Sequence, residues 1–167
     1  MTNTPNEKYF EYNLEAVALL LSQKYKDSLV LVIHPALTEQ QSFSCFSNFV
    51  DSRDLGIPIH QSDYNTVKHM AALISSITKR VTDPGISLDT SPLTIIGFSK
   101  GCVVLNQLLH EFYHYNAVDS ILDSSTKSFI GNVKKMIWLD GGHSGHEDTW
   151  ITSNPILKNF AKMGKYS

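Results

Sequence analysis

Between the apolar run Leu93-Thr94-Ile95-Ile96 and the apolar stretch that starts at Cys102 lies Gly97-Phe98-Ser99-Lys100-Gly101, a Gly-x-Ser-x-Gly spacing. A serine hydroxyl attacks a carbonyl only when a base takes its proton, an acid orients that base and donors receive the oxyanion that forms. A tight strand-to-helix turn supplies part of this. It holds the serine in a strained backbone conformation and pushes the hydroxyl into solvent. It also aims the Lys100 amide and the positive end of the following helix at the developing oxyanion. Gly97 and Gly101 are the small flanking residues that let strand and helix approach so closely. The same residues also fit a plain glycine-rich turn without chemistry. A Walker-type phosphate loop is excluded, since the chain has no Gly-x-x-x-x-Gly-Lys-Ser/Thr.

In this motif's usual order the acid and then the histidine follow the serine. Asp140, at the end of the next predicted strand, is the candidate acid; it can equally serve to accept hydrogen bonds from the tight Gly141-Gly142 turn. His143 and His146 share the loop after it, and His143 is the candidate base. A base that close to its acid is tighter than the usual arrangement, so a locally bonded or pocket-lining histidine is the competing reading. His34 ends an earlier strand at the same sheet edge, but as a base it would break the chain order. Lys100 reads as solvent-facing or as a charge on the pocket rim. His60, His69, His110 and His114 read as surface or helix-face residues. Cys45 and Cys102 form neither a disulfide framework nor a metal-ligand spacing. They read as buried thiols, which suits a reducing compartment. No metal site and no cofactor is indicated.

The elements that would position these residues alternate between the two periodicities. Asn13 can cap a helix over 13–25, and Leu29–Ile33 is a short branched run of the kind buried in a parallel sheet, ended by His34-Pro35. Phe43, Phe46, Phe49 and Val50 suggest a short helix, and 55–58 a loop. From Asp63 an apolar stripe at helical spacing runs to Val81, closed by Asp83-Pro84-Gly85. After the 83–92 connection come a strand at 93–96, the serine turn, a helix to about Tyr115, a strand at 136–139 and a helix from Pro155. This alternation predicts an α/β fold: three layers, α/β/α, around a short, mainly parallel sheet.

With 167 residues, 42% hydrophobic and 18% charged, the chain reads as a single domain, 1–167. A net charge of −2 argues against nucleic acid as a partner. No apolar run reaches the length of a membrane span, and the first residues resemble no targeting peptide, which fits a cytoplasmic protein if the chain is complete. A small-molecule ester or thioester is the expected partner, and the oligomeric state is not legible.

Residues 95–109 resemble the serine turn of the family of the human "chromosome 2 open reading frame 69" protein. Trp138–Gly145 with Thr149-Trp150 is similar to that family's next block, and Phe43–Cys45 with Asn48–Val50 to a weaker one. The resemblance implies an α/β-hydrolase-like fold, a serine-hydrolase site of unknown substrate centred on Ser99, Asp140 as its acid, and a mitochondrial association. Such proteins carry an additional strand with a proline-glycine loop before the first helix, and further strands with a late histidine. The expectation is therefore an incomplete domain lacking both segments. It would be either a hydrolase completed by them or a non-catalytic scaffold or inactive fragment that binds a partner.

Overall fold

The computed structural model describes residues 13–40, 43–81, 87–88, 90–117, 122–143 and 150–164. They fall into two compact units, one ending at Pro35 and the other beginning at Ala36.

In the first unit the Asn13 side chain accepts the Ala16 amide at 2.8 Å and starts α1 (Leu14–Lys24). Glu15 in the first turn and Lys24 in the last suit the helix dipole. The helix buries none of its residues. The strand expected at 29–33 is not formed. Leu29, Leu31 and Ile33 are exposed while Val30 and Val32 are half-buried. The run keeps a two-residue alternation, but a strand exists only as a hydrogen-bonded pair, and no ladder includes these residues.

In the second unit β1 (Leu37–Glu39) pairs antiparallel with β2 (Phe43–Cys45), which replaces the start of the expected helix. The Phe46, Phe49 and Val50 spacing yields only one turn, in which the Phe46 carbonyl accepts Phe49 N at 2.8 Å and Val50 N at 3.0 Å. β3 (Asp51–Arg53) pairs antiparallel with β4 (Ile57–Ile59), so part of the expected loop is strand. Pro58, opposite Ser52, is tolerated because a two-stranded sheet leaves one edge of each strand without ladder bonds.

α2 (Thr66–Thr78) begins later than Asp63 and buries Thr66, Val67, Met70 and Ala71. The Asp83-Pro84-Gly85 turn lies outside the described residues. β5 (Leu93–Phe98) runs parallel to β6 (Val133–Leu139), with Gly97 opposite Trp138 and Phe98 opposite Leu139. Between them, α3 (Cys102–Ala117) is buried on nearly every face over its first three turns, the pattern of a central core helix. A helix not expected from the sequence, α4 (Ser124–Asn132), leads directly into β6. Its N-cap Asp123 accepts Ser125 Oγ and Thr126 Oγ1, both at 2.6 Å. These bonds, the Ser125 hydroxyl's first, hold its carboxyl well below the usual range. α5 (Asn154–Lys162) carries Pro155 in its first turn, where a missing N–H costs nothing.

The fold is thus mixed α/β with short sheets. Among the described residues, three two-stranded sheets stand in place of one mainly parallel sheet, and only β5–β6 is parallel. Leu105, Leu108 and Phe112 of α3 centre a core that takes in Phe49, Val67, Phe129, Val133 and Ile156.

Candidate functional site

β5 ends at Phe98, a 3-10 turn spans Ser99–Gly101, and α3 follows at once. Ser99 sits at φ 49°, in the left-handed region that non-glycine residues rarely adopt. Gly97 explains how strand and helix come so close. A Cβ there would lie 2.9 Å from Gly101 O and 3.0 Å from Cys102 Cα and N, all backbone atoms. The steric requirement expected for both glycines applies to Gly97 alone, because a Cβ on Gly101 meets nothing within 4 Å.

Asp140 occupies the matching position at the end of β6, exposed and at φ 50°. It leads into a second 3-10 turn, Gly141–His143, which packs against the serine turn. Ser99 and Asp140 therefore each follow one member of the register pair Phe98–Leu139, on strands about 4.8 Å apart. The buried Cys102 thiol fastens the two strand ends, reaching Gly97 O at 3.2 Å and Leu139 O at 3.4 Å. Burial pushes that thiol's pKa up against the bond to Leu139, and the Asp140 charge adds to the rise. The Trp150 ring covers this junction: a Cβ on Gly141 would meet Trp150 Cζ3 at 3.3 Å and Cys102 Sγ at 3.4 Å.

Lys100 corrects the sequence reading. It is buried, not solvent-facing, and its Nζ donates to Gly56 O at 3.1 Å. The aliphatic stem tolerates burial because the head finds a carbonyl. Burial pushes the ammonium pKa down, and the nearby Cys45 opposes this. Both cysteines are free, buried thiols.

His143 contributes its backbone to the second turn; its side chain and all of His146 lie outside the described residues. His34, in the first unit, is exposed and bonds through Nδ1 to Pro35 O at 2.5 Å. His60 and His110 are not separate surface residues. They are half-buried and stacked, with ring centroids 5.2 Å apart at 14°. His69 packs edge-on against Phe49, and His114 lies tilted against Tyr115.

A buried polar cluster escaped the sequence reading. The Glu111 carboxylate, fully buried, accepts Tyr64 N at 3.0 Å, Thr66 N at 2.9 Å, Val67 N at 2.8 Å and Gln107 Nε2 at 3.0 Å. Gln107 also accepts Gln61 N at 3.0 Å and donates to Gln61 O at 2.8 Å. The available signal was a Gln and a Glu four residues apart, one helical turn, within the apolar run of α3. Among the described residues no three His, Cys, Asp or Glu side chains converge as metal ligands. Among them, too, no helix is long and apolar enough to cross a membrane.

Fold and site together define a mixed α/β protein with a left-handed serine set between a parallel strand and a buried helix. The chain belongs to the C2orf69 family, whose profile matches residues 1–86 and 82–165. It is 34% identical over 165 residues to the zebrafish (Danio rerio) mitochondrial protein C2orf69 homolog, covering 92% of this chain and 47% of the relative. The human mitochondrial protein C2orf69 is 32% identical over 213 residues, with 98% of this chain and 54% of the relative covered. The mouse homolog is 31% identical over 212 residues, covering 98% and 57%. The chain thus spans about half the length of the curated relatives it matches. No solved structure matches it.

Proposed function

We propose that the Gly97–Gly101 turn is the nucleophile elbow of an α/β-hydrolase-like serine hydrolase acting on an ester or thioester. The observation that carries this reading is Ser99 at φ 49° directly between β5 and α3, with Gly97 packed too closely for any side chain. Ser99 Oγ attacks the carbonyl carbon while His143 takes its proton, oriented by Asp140, and the Lys100 amide donates to the oxyanion. The tetrahedral intermediate expels the alcohol or thiol, which takes the proton back from His143, and water then releases the acid by the same path. The relatives' names place them in mitochondria, and we assign the same compartment to this chain.

The test is labelling by a fluorophosphonate probe, comparing the wild type with Ser99→Ala after circular dichroism has established that both are folded. Labelling that disappears in the variant supports an activated Ser99. A folded wild type that stays unlabelled refutes a self-sufficient hydrolase and favours a non-catalytic, hydrolase-like scaffold.

A further inference from the structure

Ser99 and Asp140 follow different strands and both hold left-handed backbone, so their spacing depends on whatever fixes the two strand ends against each other. Strained residues persist where their surroundings over-determine them. Cys102, the first residue of α3, is buried three positions after Ser99. Its Sγ lies 3.2 Å from Gly97 O, two residues before Ser99, and 3.4 Å from Leu139 O, one residue before Asp140. The same sulfur is 3.4 Å from the place a Cβ on Gly141, the residue after Asp140, would take. One side chain thus touches both strand ends and the opening of the second 3-10 turn.

A buried thiol ordinarily serves as a small apolar side chain. Cys102 differs in its surroundings, since carbonyl oxygens from two strands converge on it. Cys45, also buried, instead reaches Phe43 O of its own strand at 3.5 Å, a local contact. A thiol carries one proton, so Cys102 donates to one carbonyl at a time and keeps the other in contact with its sulfur. Alanine at this position loses both interactions, whereas serine keeps a donor with a shorter reach. Misplacing a reacting group by about 1 Å costs about 100-fold in rate.

We propose that Cys102 is a positioning residue, its thiol clamping the ends of β5 and β6 and so setting the distance from Ser99 to Asp140. As a role in catalysis this rests on the hydrolase reading, whereas the clamp can be measured without it. The full chain, Cys102→Ala and Cys102→Ser are compared by the NMR Cα and Cβ shifts of Ser99 and Asp140, which report backbone conformation. Both residues should move together away from left-handed values in the alanine variant, and the serine variant should bring both back. Fluorophosphonate labelling should slow at least tenfold in Cys102→Ala, and with p-nitrophenyl butyrate the loss should fall on kcat, leaving KM within twofold. Cys102→Ser should recover most of that loss. Unchanged shifts in folded Cys102→Ala, or equal damage in the two variants, overturns the clamp. Moved shifts with a wild-type labelling rate, or a loss confined to KM, overturns the positioning role. The S–H stretching band needs no alanine variant: in Cys45→Ser, where Cys102 is the one remaining thiol, it should lie at the lowered frequency of a donating S–H, and a band at the free frequency overturns the clamp. A clamp seen by NMR in a chain that no fluorophosphonate labels stands on its own and removes the hydrolase reading alone.

Discussion

Replacing Glu111 should cost more stability than replacing any single apolar residue on the surface of α3. α2 opens at Asn65, whose own side chain caps nothing, so the amides of Thr66 and Val67 depend on a partner from elsewhere. Glu111 provides it from α3, and it also accepts Tyr64 N and Gln107 Nε2. In Glu111→Ala four donors lose this acceptor, and three of them belong to residues with 0% exposure, Thr66, Val67 and Gln107, of which only Gln107 Nε2 keeps another acceptor, Gln61 O. An unsatisfied buried donor costs about 1–3 kcal/mol; water entering the vacated space favours the low end, giving about 4 kcal/mol in all. Glu111→Gln keeps one acceptor oxygen but turns an amide N–H₂ toward a donor and removes the charge, for about 2 kcal/mol. Urea denaturation followed by circular dichroism gives both values from the midpoint and slope, and the alanine variant should melt roughly 10 °C lower. A Glu111→Ala protein within about 1 kcal/mol of wild type would show that the α2 amides find other acceptors, and the bracing of this region would have to be abandoned.

Gly97→Ala should destabilise by about 2 kcal/mol or more, since the new Cβ would press on backbone at 2.9 Å, while Gly101→Ala, facing open space, should be close to neutral; thermal melts of the pair compare them directly. A reversed order would mean that the two glycines have exchanged roles. For pH, Cys102 has a folded pKa raised above its ordinary 9.0, so the native state holds a proton that the unfolded chain gives up, and stability must fall as pH climbs past 9.0. Cys45 and Tyr115 act in the same direction, and Lys100, whose pKa is lowered from 10.5, acts in the opposite one. Cys102→Ser retains a donor without the titration, so its melting temperature should decline less steeply across 9.0 than that of the wild type.

What the sequence made legible was contiguous. Strand, serine turn and helix occupy residues 93–117 without a break, and their order, apolar content and glycine spacing are local properties. The same holds for the Asn13 cap and for Pro155 in the first turn of α5. What it hid depends on partners far along the chain. Leu29–Ile33 has a strand's composition, yet pairing is not encoded in one segment. Phe43–Val50 offers a helical spacing that spans a strand and a single turn. α4 was missed because Ser124–Asn132 has few apolar residues to set a period, although Asp123 was a readable cap. The burial of Lys100, the stacking of His60 on His110 and the Glu111 cluster all join residues more than forty positions apart. No window of local sequence contains them.

Non-glycine residues with positive φ separate the serine turn from ordinary loop geometry. Among the described residues they are Gln40, Leu55, Asn65, Ser99 and Asp140. The first three lie at element ends: after β1, in the turn from β3 to β4, and before α2. Asn tolerates the left-handed region through its own side chain, and the Leu55 amide gains a part-buried bond to the Glu39 carboxylate at 2.6 Å. Ser99 and Asp140 differ because they form a set: each follows one half of the same register pair on adjacent parallel strands, and each opens a 3-10 turn. A left-handed L-residue costs roughly 1–2 kcal/mol, and glycine would remove the cost at either place. Gly141 stands immediately beside one of them, yet the strained position is filled by the aspartate. Strain kept at two neighbouring strand ends, and filled with a hydroxyl and a carboxylate, is what the proposed site, which requires those groups there, would produce.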